Sequence, residues 1–182
     1  MSAFWVAGRT LLSVIALLVA WPAAAQSTRD PAQHFFQASF GDLKEELALA
    51  RSEGKQGLFL MFSAEYCPPC IVMKKTVLNQ VPVQERFRSH FRVLEVDYNG
   101  DAEMADVDGR WMRSKDYAQK VAKVRGTPTF MVIGLDGKEL LRHYGPTNGP
   151  RQFMWFADYV VEGIHRRQPF EAFWRGRLAA DR

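Results

Sequence analysis

The stretch LFLMFSAEYCPPCIVMKKTVL, residues 58–78, constrains the fold more than any other part of the chain. Its first five residues are apolar without a break. That run is too short for a helix of its own and predicts a strand buried on both faces. Such a strand needs apolar cover above and below it, which calls for a layered α/β architecture. EYCPPC follows at once and holds both cysteines of the 182-residue chain, Cys67 and Cys70. IVMKKTVL then reads as a helix. Pro69 in its first turn removes no hydrogen bond, Pro68 stiffens the approach, and Pro82 marks where the helix ends or restarts.

The remaining patterns supply the partners of this strand. FGDLKEELALARSEGK predicts a helix with Phe40, Leu43, Leu47 and Ala50 on one face, a capping box at Asp42 and Glu45, and Gly54 as its stop. FRVLEVD (91–97) reads as a second buried strand, and the polar, acidic segment 98–113 as a loop insertion. SKDYAQKVAKV predicts a helix capped by Ser114, with Tyr117, Val121 and Val124 along one stripe. TFMVIG and ELLRHYG flank LDGK, a hairpin signal built on Asp136-Gly137. A last helix over 150–164 starts with Pro150 and buries Phe153, Phe156, Val160 and Ile164. The order α-β-α-β-α-β-β-α gives a three-layer α/β/α sandwich around a central mixed sheet.

Residues 1–25 carry Arg9 as their one charged side chain, then TLLSVIALLVA, then small residues at Ala23 and Ala25. This is the pattern of a cleaved secretory signal, with an uncleaved anchor as the alternative, although the apolar run is too short for a comfortable membrane span, which takes about 20 residues. Export across the inner membrane to the periplasm is expected, an oxidising setting for the thiols. Residues 26–38 read as a linker, 39–165 as the domain, and 166–182 as a C-terminal helical tail opened by the aromatic segment QPFEAFW. Without Arg9 the 24 basic residues become 23 against 20 acidic ones. These charges are interspersed, which excludes a nucleic-acid footprint.

Two cysteines three apart at the start of a helix suit thiol–disulfide exchange. That chemistry needs an attacking thiolate and a second thiol close enough to resolve the mixed disulfide. The N-terminus of a helix favours the thiolate. A zinc site would need four ligands, and His34, His90, His143 and His165 are scattered. Haem attachment requires His after the second cysteine, where Ile71 stands. A purely structural staple is a third reading, although so small a loop restrains the unfolded chain little. No metal and no cofactor is expected.

FSAEYCPPC, then VDYN, then VRGTPTFMVIGLDGKEL, in this order, resembles the thioredoxin family over about residues 40–164. With the N-terminal signal and the ending YVVEGIHRRQPFEAFW, the chain is similar to periplasmic thioredoxin-related proteins of the SoxW type. It is also similar to the reductase domain that ends the electron carrier DsbD. The resemblance implies a thioredoxin fold, with Cys67 as nucleophile and Cys70 as resolving thiol in a redox-active disulfide. It further implies a cis Pro128, with Tyr66, Thr127 and Pro128 contacting an extended client segment. Tyr66 stands where the family usually has Trp, Met61 where it has a buried Asp, and Val93 near the position of that acid's Lys partner. Glu65 is the carboxyl nearest in sequence to the pair and reads as a surface residue. Pro68-Pro69 offers the thiolate neither proton nor charge, which points to a reductant of client-protein disulfides. Its implied electron donor is a membrane thiol carrier of the DsbD or CcdA type. An oxidase or isomerase on the same fold, a copper-handling protein, and a docking module using GRWMR or Trp155 and Tyr159 are the competing functions.

Overall fold

A computed structural model describes residues 27–181. The expected secretory signal over 1–25 lies outside them. The central sheet contains β1 (Gly57–Ser63), β2 (Phe91–Asp97), β5 (Thr129–Gly134) and β6 (Glu139–Tyr144), in the order β2-β1-β5-β6. β1 and β2 run parallel, while β5 lies antiparallel to both β1 and β6. The mixed sheet and its flanking helices are those the sequence predicts. β5 and β6 meet in the expected hairpin, where Gly137 adopts a φ of +77° and its N–H bonds to the carbonyl of Gly134.

All seven residues of β1 are buried, and they alternate between two cores. Phe59 and Met61 face a cluster with both cysteines, Phe87 of α4 (Val81–His90), and Phe153 and Phe156 of α6 (Gly149–Val161). Leu58, Leu60 and Phe62 face the other side, against Leu43, Leu47 and Ala50 of α2 (Leu43–Ser52). Asp42 caps α2 as expected, its carboxylate accepting from the N–H groups of Lys44 and Glu45. Phe40, read as part of the buried stripe of α2, is instead 94% exposed. It precedes the cap, and Gly41 (φ +83°) turns the chain there, where a Cβ would come within 3.0 Å of the carbonyl of Glu103.

Three further segments differ from the sequence reading. The expected linker folds back as α1 (Pro31–His34) and inserts Phe35 and Phe36 into the core. Two adjacent phenylalanines carry too much apolar surface to be left in a solvated tether. Gln37 then clips onto the outer strand: its N–H bonds the carbonyl of Val93, and its side-chain Oε1 accepts the N–H of Val93. The polar insertion is not a bare loop but a hairpin, β3 (Glu103–Ala105) with β4 (Trp111–Arg113), closed around the buried carboxylate of Asp106.

After β4 comes α5 (Ser114–Asp116), which widens into a π-helical turn over Tyr117–Val121. The wider turn breaks the expected stripe, so Tyr117 and Val124 are buried but Val121 is exposed. Ser114 lies inside the helix rather than capping it, and its buried hydroxyl has no partner among the described residues. The tail forms α7 (Phe170–Ala180), a helix as expected, but one packed into the domain. Trp174 stacks on Phe156 with 5.4 Å between ring centroids.

Candidate active site

Helix α3 (Pro68–Thr76) starts from Cys67, which serves as its N-cap. Strand β1 ends at Ser63, and the four-residue turn AEYC lifts the chain into the helix. Pro68 and Pro69 occupy the first two helical positions and have no N–H to offer. The first free N–H of the helix is therefore that of Cys70, and it points at Sγ of Cys67 at 3.3 Å. The two cysteines form a disulfide with 5.2 Å between their Cα atoms. Both are nearly closed to solvent, at 4% for Cys67 and 2% for Cys70, so burial alone does not separate their roles.

Around this sealed pair the surface is apolar and open. Tyr66 is 89% exposed, and Ile71 and Val72 on α3 are also solvent-facing. Glu65 is exposed, as the sequence suggests. The register places a second loop at the same end of the sheet: Phe62, near the end of β1, pairs with Thr129, the first residue of β5. Immediately before Thr129 lie Thr127 and Pro128, joined by a cis peptide bond. The carbonyl of Pro128 accepts from the N–H of Gly145 at 2.8 Å, and the hydroxyl of Thr129 bonds the carbonyl of Gly126 at 2.6 Å. These two bonds pin the loop. A groove of about 370 Å³ runs beside it, lined by Arg125, Thr127, Pro128 and Tyr144. Tyr66, Cys67, Thr127 and Pro128, named from the sequence, thus belong to a loop that leaves β1 and a loop that enters β5 at the same end of the sheet.

Sequence reasoning missed a polar cluster beneath this end. Met61 is fully buried, and its register partner on β2 is Glu95. The Glu95 carboxylate accepts a hydrogen bond from the hydroxyl of Ser63 and pairs with the ammonium of Lys74, Nζ to Oε1 2.6 Å. Lys74 also lies over the ring of Phe36, 5.6 Å from its centroid. Glu95 within FRVLEVD and a Ser at the end of β1 were the available signals; their meeting depended on the parallel register. Val93, near the position of the missing Lys, is fully buried among apolar side chains. Among the described residues, no three His, Cys, Asp or Glu side chains gather in a metal-ligating arrangement.

The family model for a thioredoxin-like domain matches residues 43–160. The chain belongs to the thioredoxin-like family. Cys67 and Cys70 stand at disulfide distance within the matched segment. Among curated relatives, the thiol:disulfide interchange protein DsbD of Pseudomonas fluorescens is 35% identical over 98 residues, 54% of this chain and 15% of that protein. This chain therefore matches only a small part of its DsbD relative. A thioredoxin from Thermus thermophilus superimposes with a TM-score of 0.50 at 27% identity, covering 64% of this chain and 82% of that one. A thioredoxin-fold protein from Helicobacter pylori gives a TM-score of 0.55 at 21% identity, with 70% and 82% covered, and shares the fold.

Proposed function

We propose that this chain is a disulfide oxidoreductase, exported to the periplasm, that reduces disulfides in client proteins, with Cys67 as the attacking thiol and Cys70 as the resolving one. The observation that carries the assignment is the N-cap position of Cys67, whose sulfur accepts the first available N–H of α3. A thiolate there is favoured by that donor and by the helix dipole. Exchange starts when this thiolate attacks a client disulfide and a mixed disulfide forms. Cys70 then attacks Cys67, and the client leaves reduced.

The two prolines support the reducing direction. A couple is strongly oxidising when its reduced form is stabilised, as in DsbA at about −120 mV. In α3 the N1 and N2 positions are both proline, so one N–H rather than several reaches the Cys67 sulfur. The reduced form gains correspondingly little, which supports a couple nearer thioredoxin, at about −270 mV. Tyr66, Thr127 and Pro128 would hold an extended client segment, its backbone pairing with that of Thr127. Residues 1–25 act in this reading as the cleaved signal. A membrane thiol carrier of the DsbD or CcdA type returns electrons to the pair, a reading that the likeness to DsbD supports.

The Cys70→Ser variant tests the assignment. It should accumulate mixed disulfides through Cys67, and the trapped proteins would name the clients. Adducts formed instead by Cys67→Ser would reverse the two roles. A reduction potential above roughly −180 mV in glutathione buffers would rule out the reducing direction.

A further inference from the structure

Resolution requires Cys70 to lose a proton while it is enclosed. It belongs to the same buried core as Met61, Met73 and Val77, and an apolar core opposes thiol ionisation. The helix terminus helps Cys67, whose sulfur takes the one free N–H. Residue 61 supplies no acid or base, since it is a buried methionine. Its direct neighbour on β2 is Glu95, on the same face of the sheet as the cysteines' core, because paired residues of parallel strands share a face. Lys74 stands one helical turn after Cys70 and two after Cys67, so the ammonium bound to Glu95 is on the cysteines' side of α3.

We propose that Glu95, oriented by Ser63 and Lys74, accepts the Cys70 proton during resolution. The inference rests on the dithiol role given above to the Cys67–Cys70 pair. Three features favour it. The carboxylate is fixed from two sides through Oε1, by the Ser63 hydroxyl and the Lys74 ammonium, which leaves Oε2 available for a proton. The residue is exposed, with 29% of its side chain in solvent, and it borders a cleft of about 370 Å³ between α1 and α3 that admits water. It can therefore pass a proton outward. The charged groups facing it are Lys74 and Lys75 from α3, Arg29 and Asp30 from the N-terminal segment, and Asp97 and Glu103 on its other side.

The step balances as follows. The Cys70 proton moves to the Glu95 carboxylate, directly or through one water, and the thiolate attacks Sγ of Cys67. The Cys67–Cys70 bond forms as the bond from Cys67 to the client sulfur breaks. The client leaves with the electron pair as a thiolate and is protonated by solvent, and Glu95 releases its proton through the cleft. The protein dithiol is oxidised, and the client disulfide is the oxidant.

Rapid mixing of the reduced protein with excess 5,5′-dithiobis(2-nitrobenzoate) separates the steps by their release of coloured thiolate. The first release is bimolecular attack by Cys67; the second is intramolecular resolution, independent of reagent concentration. Glu95→Gln should slow the second phase at neutral pH by about a hundredfold, the lower end of general-base contributions, and leave the first unchanged. Glu95→Asp should restore much of it. The pH profile of the resolution rate should differ between the wild type and Glu95→Gln. A second phase within twofold of wild type, or an equal fall in both phases, would overturn the proposal. Absence of any second phase in the wild type would instead defeat the dithiol reading on which it rests.

Discussion

Nε of Arg92 lies 2.7 Å from Oε2 of Glu46, with 12% and 6% of the two side chains left in solvent. The pair fastens α2 to the outer strand β2, and a second guanidinium nitrogen reaches Glu53 at 3.1 Å. Burial opposes the arginine's charge, but the hydrogen bond to Glu46 and the two carboxylates outweigh it and bind its proton more firmly than usual. Arg92→Met should cost about 3 kcal/mol, because it strands a carboxylate in a buried site. The double variant Arg92→Met/Glu46→Leu should recover most of that loss. Urea denaturation of all three proteins measures both terms; a double variant no more stable than the single one would exclude the stranded charge as the cause.

Asp106 organises the inserted hairpin. Burial raises its proton affinity, but the N–H groups of Arg110 and Asp108 and the Arg110 guanidinium outweigh this and hold the carboxyl below its ordinary value. An acid with a depressed folded value stabilises the protein fully above its unfolded value of about 3.9, and the contribution fades as pH falls towards the folded value. Asp106→Asn should cost about 1–3 kcal/mol at neutral pH, from lost or weakened hydrogen bonds at a buried site. It should also speed amide exchange at Asp108 and Arg110. Unchanged protection at those two amides would show that the hairpin does not depend on the carboxylate.

Mild acid should destabilise the protein through its histidines. His143 is wedged against Trp174 and Phe156, at centroid distances of 4.5 and 5.2 Å, and burial pushes its proton affinity down. His90 is shifted the same way, by burial and by Arg86. For a base whose folded value is lowered, the unfolded chain binds the proton first, so stability falls as pH drops below about 6.5. The melting temperature should decline between pH 7.5 and 5.5, and His143→Phe should flatten part of that decline, leaving the share due to His90. Identical slopes for wild type and variant would assign the effect elsewhere.

The N-terminal segment should prove essential to stability. Phe35 is fully buried and packs edge-on against Phe36 and Phe59, with centroids at 5.1 and 6.2 Å. Phe35→Ala should therefore cost about 3–5 kcal/mol, as for other large core truncations. A loss below 1 kcal/mol in denaturant unfolding would return the segment to the status of a tether.

Much of this fold was legible because its signals are local. Continuous apolar runs marked the buried strands, Asp42 marked a cap, Asp136-Gly137 marked a hairpin, and the proline pair marked the start of α3. What escaped depended on partners distant in sequence. Periodicity placed Phe40 on the stripe of α2, but the close approach of Gly41 to Glu103 turns it out. Val121 left its stripe because a π turn adds a residue per hydrogen-bonded ring, which no 3.6-residue count anticipates. The cysteine pair was evident from six residues, whereas the Ser63–Glu95–Lys74 cluster needed the β1–β2 register to bring three elements together.

The clip between Gln37 and Val93 has a consequence for association. Strand β2 ends the sheet, so its outward N–H and C=O groups are a template on which a strand from another molecule could add. Gln37 occupies both groups of Val93, one with its backbone and one with its side-chain oxygen, and so acts as a one-residue stopper. A chain starting after this residue would keep its cysteines and most of its core but present an open edge. Beyond the stability lost with Phe35 and Phe36, its failure would be intermolecular: concentration-dependent growth of sheet between copies along the uncovered edge.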